Sequence, residues 1–229
     1  MKEEMLVVFL QGHILQTILK NGWFARASQI HSYNKIHAYA IGLKDPNNEW
    51  DVRLWTTTSD PAIPNPWGTV TIDSSYSLTC GGARTWPVRA AAGNFLYESY
   101  PLSNDTWKAS AKDHFVSDPA TMNVFAIGLK PNNSNIAIAS QITSDVGPTS
   151  DFPSAQVNAF RDFIITRGGA QIYSGSGYGN LLTASNPIVD NTVQIWRADG
   201  KAHMEHSLGT LTVYAIGHFA FPVIPIPTP

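Results

Sequence analysis

A single cysteine, Cys80, stands in the whole chain of 229 residues, which excludes an internal disulfide and any cysteine-based zinc cluster. Charge is scarce as well. Only 14% of the residues are charged, and 15 basic against 17 acidic side chains leave a net charge of −2. The charges form no long runs, so the basic patch that neutralises phosphates is absent and nucleic acid is not an expected partner. A basic helix suited to a membrane surface is absent too. No apolar run reaches the roughly 18–20 residues that cross a bilayer, so no transmembrane segment is expected. The opening MKEEMLVVFLQGHIL carries two glutamates and a short apolar core. Without a small-residue cleavage site it reads poorly as a secretory signal, so no export is expected.

Catalytic signatures are missing in the same way. Gly175-Ser176-Gly177-Tyr178-Gly179 has the wrong spacing for a Gly-x-Ser-x-Gly elbow, and it also fails Gly-x-Gly-x-x-Gly. His203-Met204-Glu205-His206 sets two histidines three apart without an evident third ligand. No carboxylate pair recurs for general acid–base work. The expectation is a non-enzyme that needs neither metal nor cofactor.

What the chain does have is turn-formers and rings: 17 Gly, 15 Pro and 11% aromatics within a 43% hydrophobic composition. Such a composition is too apolar for disorder and favours short strands. It also has an internal repeat, the feature that most constrains a fold. Residues 107–129, WKASAKDHFVSDPATMNVFAIGL, are echoed by 23–43, WFARASQIHSYNKIHAYAIGL, and by 196–218, WRADGKAHMEHSLGTLTVYAIGH. In each a Trp is followed by Ala two residues on, by a His seven or eight residues on, and by a closing Tyr/Phe-Ala-Ile-Gly. Upstream, Gly93-Asn94 matches Gly179-Asn180, and Gly81-Gly82 matches Gly168-Gly169. Gly12-His13 is the weaker first copy of the Gly-Asn corner, and Arg167 stands where Cys80 does.

The expected fold is therefore all-β, built of three tandem related β-sheet units at 1–74, 75–160 and 161–220 and a Pro-rich extended tail at 221–229. Units of this size stand alone with difficulty, so they are expected to pack into one pseudo-threefold or stacked body. Strands are expected at 5–10, 36–41, 52–57, 70–78, 122–129, 136–142, 158–165, 193–196 and 211–216. The Gly-Gly pairs suit bulges or close backbone approach, and Pro46-Asn47-Asn48 and Pro131-Asn132-Asn133 suit turns. The tail FPVIPIPTP is either a loose end or an arm whose Val223, Ile224 and Ile226 strap onto a neighbour.

The repeated side chains admit two readings. Trp23, Trp107 and Trp196 can each offer a flat face to a sugar ring, with His31, His114, His203, Asn94 and Asn180 bonding the hydroxyls. Three linked weak sites then gain avidity. Alternatively, the indoles are core residues and the imidazoles and amides fix loops. Trp50, Trp55, Trp67 and Trp86 lie in one stretch without counterparts in the next unit. Of these, Trp67, in Pro64-Asn65-Pro66-Trp67-Gly68, sits where a core role is harder to arrange. The function expected from these residues is non-catalytic, lectin-like binding of carbohydrate or glycoconjugate, with homo-oligomerisation left open. The alternatives are a coat, spore or virion assembly role, a membrane-contacting, toxin-like role and, least expected, a glycan-cleaving enzyme whose site is assembled between units with Asp105, Asp113 or Glu98.

Overall fold

The computed structural model describes residues 11–13, 24–26, 37–87, 94–113, 117–174, 179–189, 194–202 and 206–223. Among them there are strands and no helix. β1 (Gln11–His13) and β2 (Phe24–Arg26) pair as a short ribbon. Then follow β3 (Trp50–Thr58), β4 (Trp67–Thr71), β5 (Ser77–Pro87), β6 (Asn94–Pro101), β7 (Thr106–Asp113) and β8 (Ala120–Pro131). The chain goes on through β9 (Ile136–Val146), β10 (Ser154–Asn158), β11 (Ile164–Ser174), β12 (Asn180–Val189), β13 (Gln194–Ala202) and β14 (Gly209–Pro222).

The strands form an antiparallel six-stranded sheet in the order β4-β7-β6-β11-β14-β9 and two three-stranded sheets, β3-β8-β5 and β10-β13-β12. All are open sheets, none closed into a barrel. The pairing pattern recurs after six strands. β3 and β5 flank β8 as β9 and β11 flank β14, and β4 and β6 flank β7 as β10 and β12 flank β13. The β6–β11 ladder, Ser99 opposite Ala170 and Glu98 opposite Gln171, joins the two sets. Each set buries its own core between a three-stranded sheet and half of the large one, as stacked sheets do. Leu78, Trp107, Met122 and Val124 centre the first core; Ile172, Trp196, Leu211 and Val213 centre the second.

The strands expected at 52–57, 122–129, 136–142 and 211–216 lie in β3, β8, β9 and β14, and the first halves of β8 and β14 alternate between buried and half-buried residues with period two. Of the expected 193–196, residues 194–196 open the longer β13. Two expectations are corrected alike: 70–78 and 158–165 are each two strands with a turn between, not one strand. After β4 the Asp73 carboxylate accepts the Ser75 amide at 2.8 Å. After β10 Asp162 takes a φ of 69° and the Phe163 amide donates to the Phe160 carbonyl at 3.0 Å. The boundaries drawn at 75 and 161 fall in these turns, so the pairing sets run instead from β3 to β8 and from β9 to β14.

A third correction concerns 36–41. Residues 37–45 form no strand, and their side chains are largely exposed. Two six-strand sets, not three, are thus complete among the described residues. The strand expected at 5–10 and the tail beyond Val223 lie outside them.

The repeated glycines are explained by close packing. A Cβ on Gly81 would lie 2.1 Å from the Trp107 ring, and one on Gly168 would lie 2.2 Å from that of Trp196. The glycine of Ala-Ile-Gly works similarly: a Cβ on Gly128 would meet Tyr76 at 2.9 Å, and one on Gly217 would meet Phe163 at 2.9 Å. The register shifts themselves fall just before the Gly-Gly pairs, between Leu78 and Cys80 and between Ile165 and Arg167.

Candidate functional site

The repeated indoles are interior. Trp107 on β7 is 0% exposed and Trp196 on β13 is 1% exposed. Each ring lies flat against its glycine, and each ring N–H is satisfied inside. Trp107 Nε1 donates to Ser99 Oγ at 3.1 Å, and Trp196 Nε1 donates to Ser185 Oγ at 2.9 Å. The polar end of a buried Trp needs such a partner. Neither ring therefore has a face left for a sugar, and the expectation of stacking on these two is corrected.

Asn94 and Asn180 are buried as well. The Asn94 amide donates to the Pro64 carbonyl at 2.7 Å and to Asp113 Oδ1 at 2.8 Å. The Asn180 amide donates to the Ser207 carbonyl. Both asparagines tie loops to strand starts and face no solvent, so their expected ligand role is corrected too. Trp23, His31, His114 and His203 lie outside the described residues.

Trp67 is different. It opens β4 and is 58% exposed. The turn residues around it end at Pro66, and Gly68 fits under it against Val124, so the indole is pushed to the outer face. Directly opposite residues in a ladder share a face and stand about 5 Å apart. Trp67 lies opposite Ser110, Ser110 opposite Glu98, Glu98 opposite Gln171 and Gln171 opposite Thr212. One row thus crosses five strands and both six-strand sets. The next row begins Thr69, Lys108, Tyr100. It continues over Gly169, whose bare Cα lies against the Tyr100 backbone, to Tyr214. With no side chain between them, the Tyr100 and Tyr214 rings stack at 4.9 Å and 20°.

The polar groups in these rows are pre-set. Glu98 Oε2 accepts from Ser110 Oγ at 2.7 Å and pairs with Lys108 Nζ at 3.0 Å. Burial alone would lower the Lys108 ammonium, but the bond and charge of Glu98 hold its pKa above the ordinary lysine value. Gln171 Nε2 donates to the Tyr214 hydroxyl at 2.7 Å. Burial, reinforced by Tyr100 and Glu98, pushes the Tyr214 phenol up to about 12. It therefore stays a neutral donor and acceptor across the physiological range. At the end of the same strands, burial brings the Lys112 ammonium down to about 8, and its Nζ lies over the Tyr97 ring at 5.4 Å.

The other tryptophans outside the repeat are less available. Trp55 meets Tyr76 edge-on at 5.0 Å beside the first core. Trp86 is exposed, but Arg84 lies over its ring and its Nε1 donates to Asn123 Oδ1 at 2.7 Å. Among the described residues no three His, Cys, Asp or Glu side chains gather as a metal-ligand set. No described helix is long and apolar enough to cross a membrane.

Sequence reasoning missed Tyr100, Lys108, Ser110, Gln171 and Tyr214, and singled out Glu98 only as a possible hydrolytic carboxylate. The alternation in TWKASAKD carried part of the signal, since Trp107, Ala109 and Ala111 turn inward and Lys108 turns outward. What no local pattern carries is the β6–β11 register that brings Tyr100 to Tyr214. No protein-family model, curated protein or solved structure matches the chain.

Proposed function

We propose that this protein binds carbohydrate without transforming it, at the exposed Trp67 end of the six-stranded sheet. The observation that carries the reading is the Trp67 indole, more than half exposed at the head of a row of hydrogen-bonding side chains. An indole face suits the C–H side of a sugar ring, while the half-buried Glu98, Lys108, Gln171 and Tyr214 suit its hydroxyl groups. The held Lys108–Glu98 pair limits the ordering cost on binding. The internal repeat does not copy this site, because Ser154 opposite Asp199 stands where Trp67 opposite Ser110 stands. The reading is therefore one extended site per chain, not three small ones.

Glycan-array screening followed by titration of the best binder tests it. Trp67→Ala is expected to weaken binding about tenfold or more, roughly 1.4 kcal/mol, with an unchanged melting temperature. An array without binders, or a binder indifferent to Trp67→Ala, overturns it. Exposed apolar side chains away from this end favour a second reading, a role in assembly.

A further inference from the structure

We propose that the chain associates with further copies of itself head to tail, the edge of β12 that pairs no further described strand in one copy docking onto residues 39–43 of the next. The template is the contact that already joins the two strand sets. There, the edge of β6 carries β11, Tyr100 of β6 stacks on Tyr214 of β14, and Ile216 of β14 packs into the first core. His218 is buried at the same junction, its Nδ1 3.0 Å from Thr166 Oγ1, while Thr166 Oγ1 donates to the Thr79 carbonyl at 3.0 Å. The outward residues of β14 are thus covered by the β5 and β6 strands of the preceding set.

The β6 side and the β14 side of that contact each have an unused equivalent, the latter corresponding to β14 and not to β11, the strand paired on β6. β12 occupies in the second set the place of β6 in the first. It has the same register shift, between Leu182 and Ala184 as between Leu96 and Glu98, and its Ser185 holds Trp196 as Ser99 holds Trp107. Yet β12 ends its sheet among the described residues, whereas β6 carries a further strand. An open strand edge is a template for strand addition. Asn186 and Ile188 lie along it, and Ile188 is exposed.

The other half is Tyr39-Ala40-Ile41-Gly42-Leu43. It repeats Phe125-Ala126-Ile127-Gly128-Leu129 and Tyr214-Ala215-Ile216-Gly217-His218 nearly residue for residue. In the last of these the outward Ile216 is 1% exposed and His218 7%; in the first, Tyr39, Ile41 and Leu43 are 47%, 46% and 53% exposed. A sequence that elsewhere forms the middle strand of a sheet is here left without one. Because the docking edge and the docked face are different surfaces, the association is heterologous, giving a ring if the rotation closes and a filament if it does not.

The test uses one variant at each end, Tyr39→Glu/Ile41→Glu and Asn186→Lys/Ile188→Lys, with circular dichroism to confirm the fold. Mass is followed by light scattering across the micromolar range. The wild type is expected to grow with concentration, and each variant alone to stay monomeric. An equimolar mixture of the two variants, each keeping one intact end, is expected to give a dimer of one of each. A wild type that is monomeric at its highest soluble concentration overturns the proposal. So do folded variants that still assemble alone, and a mixture that stays monomeric while the wild type assembles.

Discussion

The turn ends of β8 and β14 occupy equivalent places in the two strand sets and have opposite chemistry. At the first, Tyr76 donates its hydroxyl to Asp51, Arg53 Nε donates to the same carboxylate at 3.1 Å, and Lys130 Nζ lies over the ring at 5.1 Å. The Tyr76 hydrogen bond, more than the nearby cations, holds the Asp51 carboxyl below its ordinary range. At the second, Phe163 stands where Tyr76 does and Phe219 where Lys130 does. The rings of Phe160, Phe163, Phe219 and Phe221 follow one another at 5.8, 6.2 and 6.1 Å. A Cβ added at either Ala-Ile-Gly glycine would meet the Cβ of Tyr76 or of Phe163 at the same 2.9 Å. The side chain over the glycine is therefore matched in the two sets, while its surroundings differ: Tyr76 gathers ions and Phe163 gathers more rings. Close backbone–ring approach fixes what is inside the sets and leaves the outside free to differ.

The largest expected effect tests whether the interiors are as alike as their geometry. Gly81→Ala and Gly168→Ala each push a methyl into an indole that is fully buried. Overpacking of this kind costs about 3 kcal/mol or somewhat more, since ring and backbone cannot both move aside. Urea unfolding should report similar losses for the two variants. A loss at one position with none at the other would break the equivalence of the two cores.

The next effect separates the sets by pH. Leu129 on β8 corresponds to His218 on β14, and burial brings the His218 pKa from 6.5 down to about 4. Between those values the unfolded chain binds a proton that the folded chain does not, so stability is full above about 6.5 and falls as the pH drops towards 4. The total approaches roughly 3 kcal/mol. His218→Leu, which installs the side chain of the other set, should flatten the stability–pH curve in that window. A curve of unchanged slope would mean that the acid sensitivity lies elsewhere.

How much of this was legible in the sequence follows from the same division. β8 and β14 were readable because Met122, Val124 and Ala126, and Leu211, Val213 and Ala215, alternate with period two and are bounded by turns. The break after Val70 was not, because Asp73 acts through its own backbone turn while the flanking residues still alternate. Residues 37–43 carry nearly the same letters as β8 and form no strand, since strand formation rests on partners more than on local preference. The burial of Trp107 and Trp196 was encoded in part: a Gly-Gly pair precedes the Trp in both sets, and the repeated glycine marks a close backbone approach. Trp67 was singled out among the four indoles without counterparts because it was placed in a loop, whereas it begins β4. Its partners in the row stayed hidden because register between distant strands leaves no mark in either strand alone.

The smallest effect sharpens the comparison of the two ends. Lys130 lies opposite Asp51, and Phe219 lies opposite Ala139. Phe219→Lys with Ala139→Asp therefore transplants the first end's cross-strand charge pair onto the second. Phe219 is already exposed, so little burial is lost, and an exposed ion pair is worth only about 0–1 kcal/mol. Unfolding free energy should move by less than about 1 kcal/mol, whereas binding of a hydrophobic dye should fall, because the middle of the ring series is gone. A large loss of stability would instead mean that Phe219 supports Phe163 over Gly217 as part of the interior. The boundary between fixed inside and free outside would then lie one residue further along β14 than the matched glycines place it.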